Sequence, residues 1–456
     1  MSLKSKIAFN TSYQLISKLV TSLTTLIGTA LITRLLGANT FGEYSIVLAY
    51  TTTYYIIADF GINAIVIKDF AKDELEAKNR FGSLLLFRIL YGIIIVIIAA
   101  SILFLFPYPQ FIKNAILVSL PLVIFSSIAY SANAIFQSYL KYKLQTISTI
   151  VGSVIGLGLL ITAVTMDNTS LFIVVLAVVV GSSISPIFSL FLVRNYLSWD
   201  LKWFDLKYWR YITIQSFPFG IALILNTLMV QADKLILSVV STPTSVGIYS
   251  LAYRIFDLVL VVPTFFMNVM YPILIKEKTR DHERYVNLAR LSIIGMFFAS
   301  LVITAIGFLS STYVVSAIWG KEMINSSIAF NILVMGSFAF FVSAPISWII
   351  LIEQKQKTLP IIYGLALSFN VILNLIFIPK YDYIAAGAIT VITECLVVLM
   401  LMFVVRKEGM LKVTNGREER FSIKAIQLLQ KIYGNSYKTE PKEDLSGNID
   451  KVLCGR

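Results

Sequence analysis

Residues 31–50, "LITRLLGANTFGEYSIVLAY", end one apolar run and begin the next across a short polar joint. The same plan returns 205 positions later at residues 236–255, "ILSVVSTPTSVGIYSLAYRI", with Gly-Ile-Tyr-Ser in place of Gly-Glu-Tyr-Ser. Few residues agree, and a four-residue match alone is cheap in a chain this rich in Gly, Tyr and Ser. The order of parts agrees throughout: apolar span, short loop, Gly-x-Tyr-Ser, next span. That shared plan, half a chain apart, favours duplication over chance.

Working outward, a membrane span needs roughly 20 mostly apolar residues. Twelve stretches qualify, at about 9–33, 41–60, 81–106, 114–138, 144–166, 169–193, 211–238, 244–271, 288–315, 323–352, 358–379 and 383–405. Six spans precede each copy's counterpart, so both halves enter the membrane in the same direction. Parallel repeats of this kind are related by a pseudo-two-fold axis along the membrane normal. The expected fold is all-α and polytopic, with about twelve transmembrane helices in two six-helix lobes, residues 1–205 and 206–410. A tail, 411–456, follows. In it, Phe421, Ala425, Ile426, Leu429, Ile432 and Tyr433 share one helical face, which predicts an interfacial amphipathic helix near 418–433. The opening basic residues suggest a signal peptide, but the apolar run behind them is too long and lacks a small-residue cleavage site. It is expected to stay as the first span.

Composition agrees with a chain dissolved in lipid. Of 456 residues, 57% are hydrophobic and 14% charged, against about 25% charged in soluble domains. The net charge of +13 reports topology rather than nucleic acid. With the N-terminus in the cytoplasm, Lys4, Lys6, Lys68, Lys72, Lys78, Arg80, Lys141, Lys143, Arg194, Lys202, Lys207, Arg210, Lys276, Lys278, Arg280, Arg284, Lys355, Lys357 and the basic tail all fall inside. The outer loops hold Arg34, Lys113, Lys321 and Lys380. This is the positive-inside pattern, and no continuous basic face for nucleic acid is visible. Both termini are therefore expected in the cytoplasm, with the chain in the inner membrane among its lipids. Two cysteines, Cys395 and Cys454, have no metal-ligand spacing, and the one histidine, His282, falls in a charged loop. No phosphate-binding loop, dinucleotide fingerprint or nucleophile-and-base set is present. No enzyme, metal or organic cofactor is expected.

The stretch carrying "RLLG" at 34–37, "FGEYS" at 41–45 and "DFGI" at 59–62 resembles the opening of the polysaccharide-biosynthesis, Wzx-type oligosaccharide flippases. These belong to the multidrug/oligosaccharidyl-lipid/polysaccharide exporter superfamily, and the likeness in hydropathy extends over roughly residues 1 to 410. The resemblance implies a V-shaped pair of lobes with spans 1, 2, 7 and 8 around a central cavity. It also implies alternating access that carries a lipid-linked glycan to the outer leaflet for O-antigen, capsule or another surface polysaccharide. A polysaccharide polymerase and chain-length machinery would be its partners. A cation-coupled multidrug exporter of the same superfamily is the alternative, and would want an anionic, aromatic cavity. A membrane glycosyltransferase or polymerase would want acidic residues in a large external loop, and the loops here are short.

Phosphate crossing hydrocarbon needs cations that cannot escape to water, and guanidinium suits it best. Arg254 lies about ten residues into span 8, roughly 15 Å from its outer end at the helical rise. It either faces a wet cavity, the favoured reading, or closes an ion pair with Asp257, one turn on. The resemblance adds weight to the cavity. Lys18 in span 1 reads equally as cavity group and snorkelling anchor. Arg88 in span 3 is a further candidate, with an anchor role favoured. Arg34, at the outer end of span 1, would meet phosphate in the outward-open state. Asp233 and Lys234 read as a local ion pair reaching water. Tyr44, Tyr50, Tyr54, Tyr55 and Tyr249 offer hydroxyls and flat faces to sugars, though packing is the commoner role of such tyrosines. Glu394, alone in mid-span, is a candidate for coupling to a proton or sodium gradient, and equally for pairing with a lysine. Asp59 is a second coupling candidate, although its place near an inner span end favours a solvated carboxylate, as it does for Glu353.

Overall fold

The computed structural model describes residues 3–70, 74–167, 169–194 and 204–411. The predicted helix near 418–433 lies outside them. Among the described residues every element is helical: α1 Leu3–Asp59, α2 Ile62–Phe70, α3 Glu74–Leu103, α4 Gln110–Ser119, α5 Pro121–Ser138, α6 Tyr142–Thr165, α7 Leu171–Val193, α8 Leu206–Val240, α9 Pro243–Arg280, α10 His282–Trp319, α11 Asn325–Met335, α12 Ser337–Ile352 and α13 Leu359–Lys407, with two short 3-10 turns. In hydrocarbon each backbone N–H and C=O must be satisfied within its own segment, which leaves the helix as the open-ended solution.

Among the described residues, nine helices are long and apolar enough to cross a membrane, or ten if the bent pair α11–α12 is one crossing. Twelve stretches were expected. The difference lies in α1 and α13, each of which contains two of those stretches. The candidate span in α1, Ser12–Asp59, has 48 residues and at about 1.5 Å per residue is more than twice as long as a ~30 Å hydrocarbon core is thick. It breaks at Gly37, with φ 84° and ψ 169°, a conformation essentially restricted to glycine. This is the glycine of "RLLG", where one apolar run stops. The corresponding break in α13 is Asp382, at φ 56° and ψ −142°. The hydroxyls of Ser241 and Ser245, at the α8–α9 junction, both donate to the Asp382 carboxylate and hold that break in place.

Large apolar side chains are exposed around the outside, among them Leu19, Ile94, Leu309 and Phe403, while Ser127, Ser131, Ser148 and Ser337 are buried. That inversion suits a bundle in lipid, where small residues let helices approach and hydroxyls join them. Helices α6 and α7 show it best. The Ser148 hydroxyl donates to the Ser185 carbonyl at 2.7 Å, and a Cβ on Gly181 would stand 2.5 Å from the Gly156 Cα.

Helices α1 to α7 pack mainly on one another, as do α8 to α13, and the two sets meet chiefly where α1 lies against α9 and α8. Two glycine contacts mark that meeting line. A Cβ on Gly42 would fall 1.8 Å from the Pro243 carbonyl oxygen, and one on Gly247 would fall 3.0 Å from the Gly42 Cα. The two copies of the repeated junction therefore touch each other, backbone to backbone. At the far end of α1, Phe60 and Gly61 turn the chain with φ 43° and 69°, and Phe60 packs on α8. A Cβ on Gly220 would meet both the Phe60 ring and its carbonyl oxygen at 2.8 Å. The Phe60 and Phe217 rings lie edge-on at 6.1 Å.

Candidate functional site

Arg254 is seven residues, about two turns, beyond Gly247, and so shares the face of α9 that touches α1. Across from it the first limb of α1 presents Lys18, Thr21, Ser22 and Thr25. Together with Asp257 and Trp319 these residues line a cavity of about 300 Å³. Its wall is fastened by α10: the Trp319 indole N–H donates to the Thr29 hydroxyl at 3.1 Å. Arg34 closes the same corner. Its Nε donates to the Ile318 carbonyl at 2.8 Å and its Nη2 to that of Ala317. In this conformation Arg34 caps the C-terminal carbonyls of α10, a favourable place for a cation, and lines neither cavity.

Lys18, Arg254 and Asp257 face one space without an ion pair between them within salt-bridge distance. The closed Arg254–Asp257 pair is not formed. Asp257 instead interacts through space with Lys234, Arg254 and Lys18. In the cavity lining Lys18 and Arg254 outnumber Asp257 by one charge, and Lys234 lies nearby between Asp257 and Asp233. Lys234 is the member that the sequence assigned elsewhere, to a local ion pair with Asp233. It does not pair with Asp233; its ammonium stands 4.3 Å from the centroid of the Tyr253 ring, a cation–π contact that holds it inward.

A second cavity of about 300 Å³ adjoins the first and shares Arg254 and Thr25 with it. It runs between α1, α6 and α7 and is lined by Tyr44, Thr52, Tyr55, Ser153 and Ser182 among others. Tyr44 and Tyr55 thus reach a cavity. Tyr50 and Tyr54 do not line it: the Tyr50 hydroxyl donates to the Ala99 carbonyl at 2.6 Å, and the Tyr54 ring packs against that of Tyr50.

Tyr249 is fully buried and away from both cavities. Its hydroxyl donates to Asp233 Oδ2 at 2.9 Å, an oxygen that also accepts from Thr390. Asn374 Nδ2 donates to Asp233 Oδ1 at 2.7 Å and to Asn370 Oδ1 at 2.9 Å, and Asn370 in turn donates to Thr393. Asp233 is 1% exposed, so the expected pair reaching water is replaced by a closed polar cluster of α8, α9 and α13. Asn374 Oδ1 is buried there without a partner. The amides recur four apart in "SFNVILNLIF", residues 368–377, a signal that could have drawn attention to this face of α13.

Glu394 lies one turn beyond Thr390 on α13, 5% exposed, and accepts from the Ser343 hydroxyl of α12. None of the ion pairs among the described residues includes it. Arg88 and Asp59 are neither snorkelling anchor nor solvated carboxylate. They form a 3.1 Å ion pair with the Arg88 side chain 0% exposed, under the Tyr130 ring and apart from both cavities. Glu353 is likewise engaged, accepting from Lys278 at 2.8 Å and Tyr285 at 2.9 Å.

The sequence profile described as polysaccharide biosynthesis protein matches residues 7–278, more than half of the chain. The chain belongs to that family. Comparison with curated protein sequences gives no match. Among solved structures, the fold is similar to lipid II flippase MurJ in an inward closed conformation, with TM-score 0.71, 15% identity, and 96% of this chain and 95% of that one covered. The MATE multidrug transporter DinF-BH, solved in complex with a ligand, gives TM-score 0.63 and 17% identity, covering 90% and 97%. A Pyrococcus furiosus transporter of the MOP superfamily, whose binding pocket is described as reversed in polarity, gives 0.61 and 15%, covering 90% and 97%. At these identities the likeness establishes the fold alone, one shared with a flippase and with transporters, and the apolar helices together with the family make the chain a multi-pass membrane protein.

Proposed function

We propose that this family member carries a lipid-linked glycan from the cytoplasmic to the outer leaflet of the inner membrane. The single observation behind this reading is the unpaired cationic cluster of Lys18, Arg254 and Lys234 around Asp257. A diphosphate headgroup needs such a place, since unpaired charge in hydrocarbon is costly, and the polyprenyl chain stays in the bilayer. A cationic drug would be repelled by the same cluster, which weighs against the exporter reading. Arg254→Ala is expected to abolish surface glycan display while leaving the amount of protein in the membrane unchanged. Normal display would remove Arg254 from its role.

Movement follows by alternating access of two lobes, residues 1–205 and 206–410, with both termini in the cytoplasm as the lysine and arginine placement argues. The Gly42–Gly247 contact then lies toward the outside and the Phe60–Gly220 contact toward the cytoplasm, about 27 Å apart at the helical rise of α1. Opening one contact while keeping the other exposes the cationic cavity to one side at a time. The delivered glycan passes to polymerase and chain-length machinery.

The gradient that drives the cycle acts through the C-terminal half. A lone buried carboxylate, amide oxygens and two hydroxyls make an all-oxygen set suited to a hard monovalent cation, and the orphaned Asn374 Oδ1 is an oxygen free to join it. Asp233, Asn370, Asn374 and Thr390 would hold sodium, or Asp233 a proton. Glu394, next to this face, remains a protonation candidate. Asp59 is a weak one, because Arg88 already neutralises it.

A further inference from the structure

Arg34 carries the only charge on α1 between Lys18 and the break at Gly37, about 24 Å along the helix from that lysine at the helical rise. Its guanidinium reaches the other half of the chain. The carbonyls of Ala317 and Ile318, which it holds, are among the last four of α10, a set that helix geometry leaves without intrahelical donors. The Gly320 N–H takes that of Ser316 at 3.1 Å. None of the ion pairs among the described residues includes Arg34, so its partners there are neutral oxygens. The next residue of α10 after Ile318 is Trp319, 2% exposed, which lines the cationic cavity. Its indole N–H is held by Thr29, about 7.5 Å before Arg34 on α1. Two grips therefore fasten the last turn of α10 to α1, across 284 and 290 positions of sequence, and the turn they fasten is a wall of the cavity that holds Lys18, Arg254 and Asp257.

We propose that Arg34 is a phosphate site on the exit side of the cationic cavity, kept closed by the last turn of α10. While the halves are shut on the outside, its guanidinium straps α10 to α1 and Trp319 roofs the cavity. As they part, it lets go of the two carbonyls and takes the diphosphate arriving from Lys18 and Arg254. The exchange favours phosphate. A carbonyl oxygen is neutral, whereas phosphate oxygens are charged and match the planar fork of donors two at a time, the strongest class of guanidinium hydrogen bond. A carboxylate in place of the carbonyls would hold Arg34 too firmly to be exchanged. The strap thus yields to an anion and to no uncharged or cationic molecule, which ties opening on the outside to the presence of cargo. This inference rests on the lipid-diphosphate reading of the cationic cavity, with the N-terminus in the cytoplasm.

The test uses the full chain in lipid nanodiscs, carrying Cys395→Ser and Cys454→Ser, with nitroxide labels placed through Gln110→Cys and Lys321→Cys. Both label positions are exposed and stand at the outer ends of the two halves. Label-to-label distances are read with and without bare polyprenyl diphosphate, and a fluorescent form of that lipid reports binding to the same discs. The labelled parent is expected to show a short distance alone and a longer one as lipid is added. Arg34→Gln should raise the ratio of long to short about ten-fold without lipid, the yield of two lost hydrogen bonds, and lipid should raise it no further. Trp319→Phe, which cuts the other grip and keeps the guanidinium, should open in the same way and still respond to lipid. An Arg34→Gln distribution like that of the parent, or one that lipid still widens as it does the parent, overturns the exchange. A parent that binds lipid without widening overturns it too, while the diphosphate reading stands. Absence of lipid binding overturns the exchange together with the reading beneath it.

Discussion

Gly42 and Gly247 are in backbone contact, with only 3.0 Å between the Gly42 Cα and the place where a Gly247 Cβ would stand. The motif written twice in the chain is thus the point where its two halves close on each other. Each copy supplies a glycine because neither helix can approach the other through a side chain.

Gly42→Ala should therefore wedge this seal apart, since the new Cβ falls 1.8 Å from the Pro243 oxygen, and backbone cannot yield as a flexible side chain does. Overpacking costs typically about 1–3 kcal/mol, enough to shift a two-state equilibrium about five- to 150-fold. A cysteine at Thr25 should react faster with a membrane-impermeant maleimide added outside intact cells in the Gly42→Ala background. An unchanged rate would mean that the contact is not a gate.

Gly220→Ala is its counterpart at the other end, where the added methyl would collide with Phe60. The same Thr25 cysteine should then become more reactive toward reagent supplied from the cytoplasmic side of inverted vesicles, and less so from outside. Phe60→Ala removes the ring and leaves the backbone carbonyl oxygen in place, so it should restore the balance only in part. Reactivity that rises from both sides alike would point to local unfolding in place of gating.

Arg88 and Asp59 form a buried pair whose remaining Arg88 donors, Nε and Nη2, have no partner. Breaking it by Asp59→Ala should destabilise the purified protein by about 3–5 kcal/mol, because a lone guanidinium is left in an apolar site. Arg88→Met with Asp59→Leu should recover most of that loss. Detergent-solubilised thermal melts of the three forms decide it; an Asp59→Ala protein as stable as wild type would contradict the burial.

Asp233→Asn should leave binding of the bare lipid diphosphate intact and remove the dependence of translocation on a sodium or proton gradient. Vesicles loaded with one ion at a time supply the measurement. If Asp233→Asn keeps its gradient response and Glu394→Gln loses it, the coupling site lies one turn further along α13.

Much of this architecture is legible in the sequence because lipid makes simple demands. Apolar length announces α3, α6, α7 and α10, and glycine at position 37 marks the break in α1 where a polar joint follows an apolar run. Arg254 stands out since a guanidinium in mid-span has few places to go. The pairings are a different matter. Arg88 and Asp59 are 29 positions apart on separate helices, and Asp233 meets Asn374 across 141 positions, so neither partner is implied by its neighbours in sequence. The adjacency of Asp233 and Lys234 even misleads: successive helical residues point about 100° apart, which sends one into the α13 cluster and the other toward Tyr253. The place of Ser153 and Ser182 in a cavity lining is hidden for a similar reason, as serines that join helices and serines that line a cavity look alike in sequence.

The charge of the central cavity is tested most directly by reconstituting the protein in vesicles with fluorescent polyprenyl diphosphate lipid on one leaflet, and separately with a cationic dye. Wild type should move the anionic lipid, the dye should remain behind, and Arg254→Glu should stop lipid movement at unchanged protein content. Equal lipid movement by Arg254→Glu, or transport of the dye and not the lipid by wild type, would contradict the account.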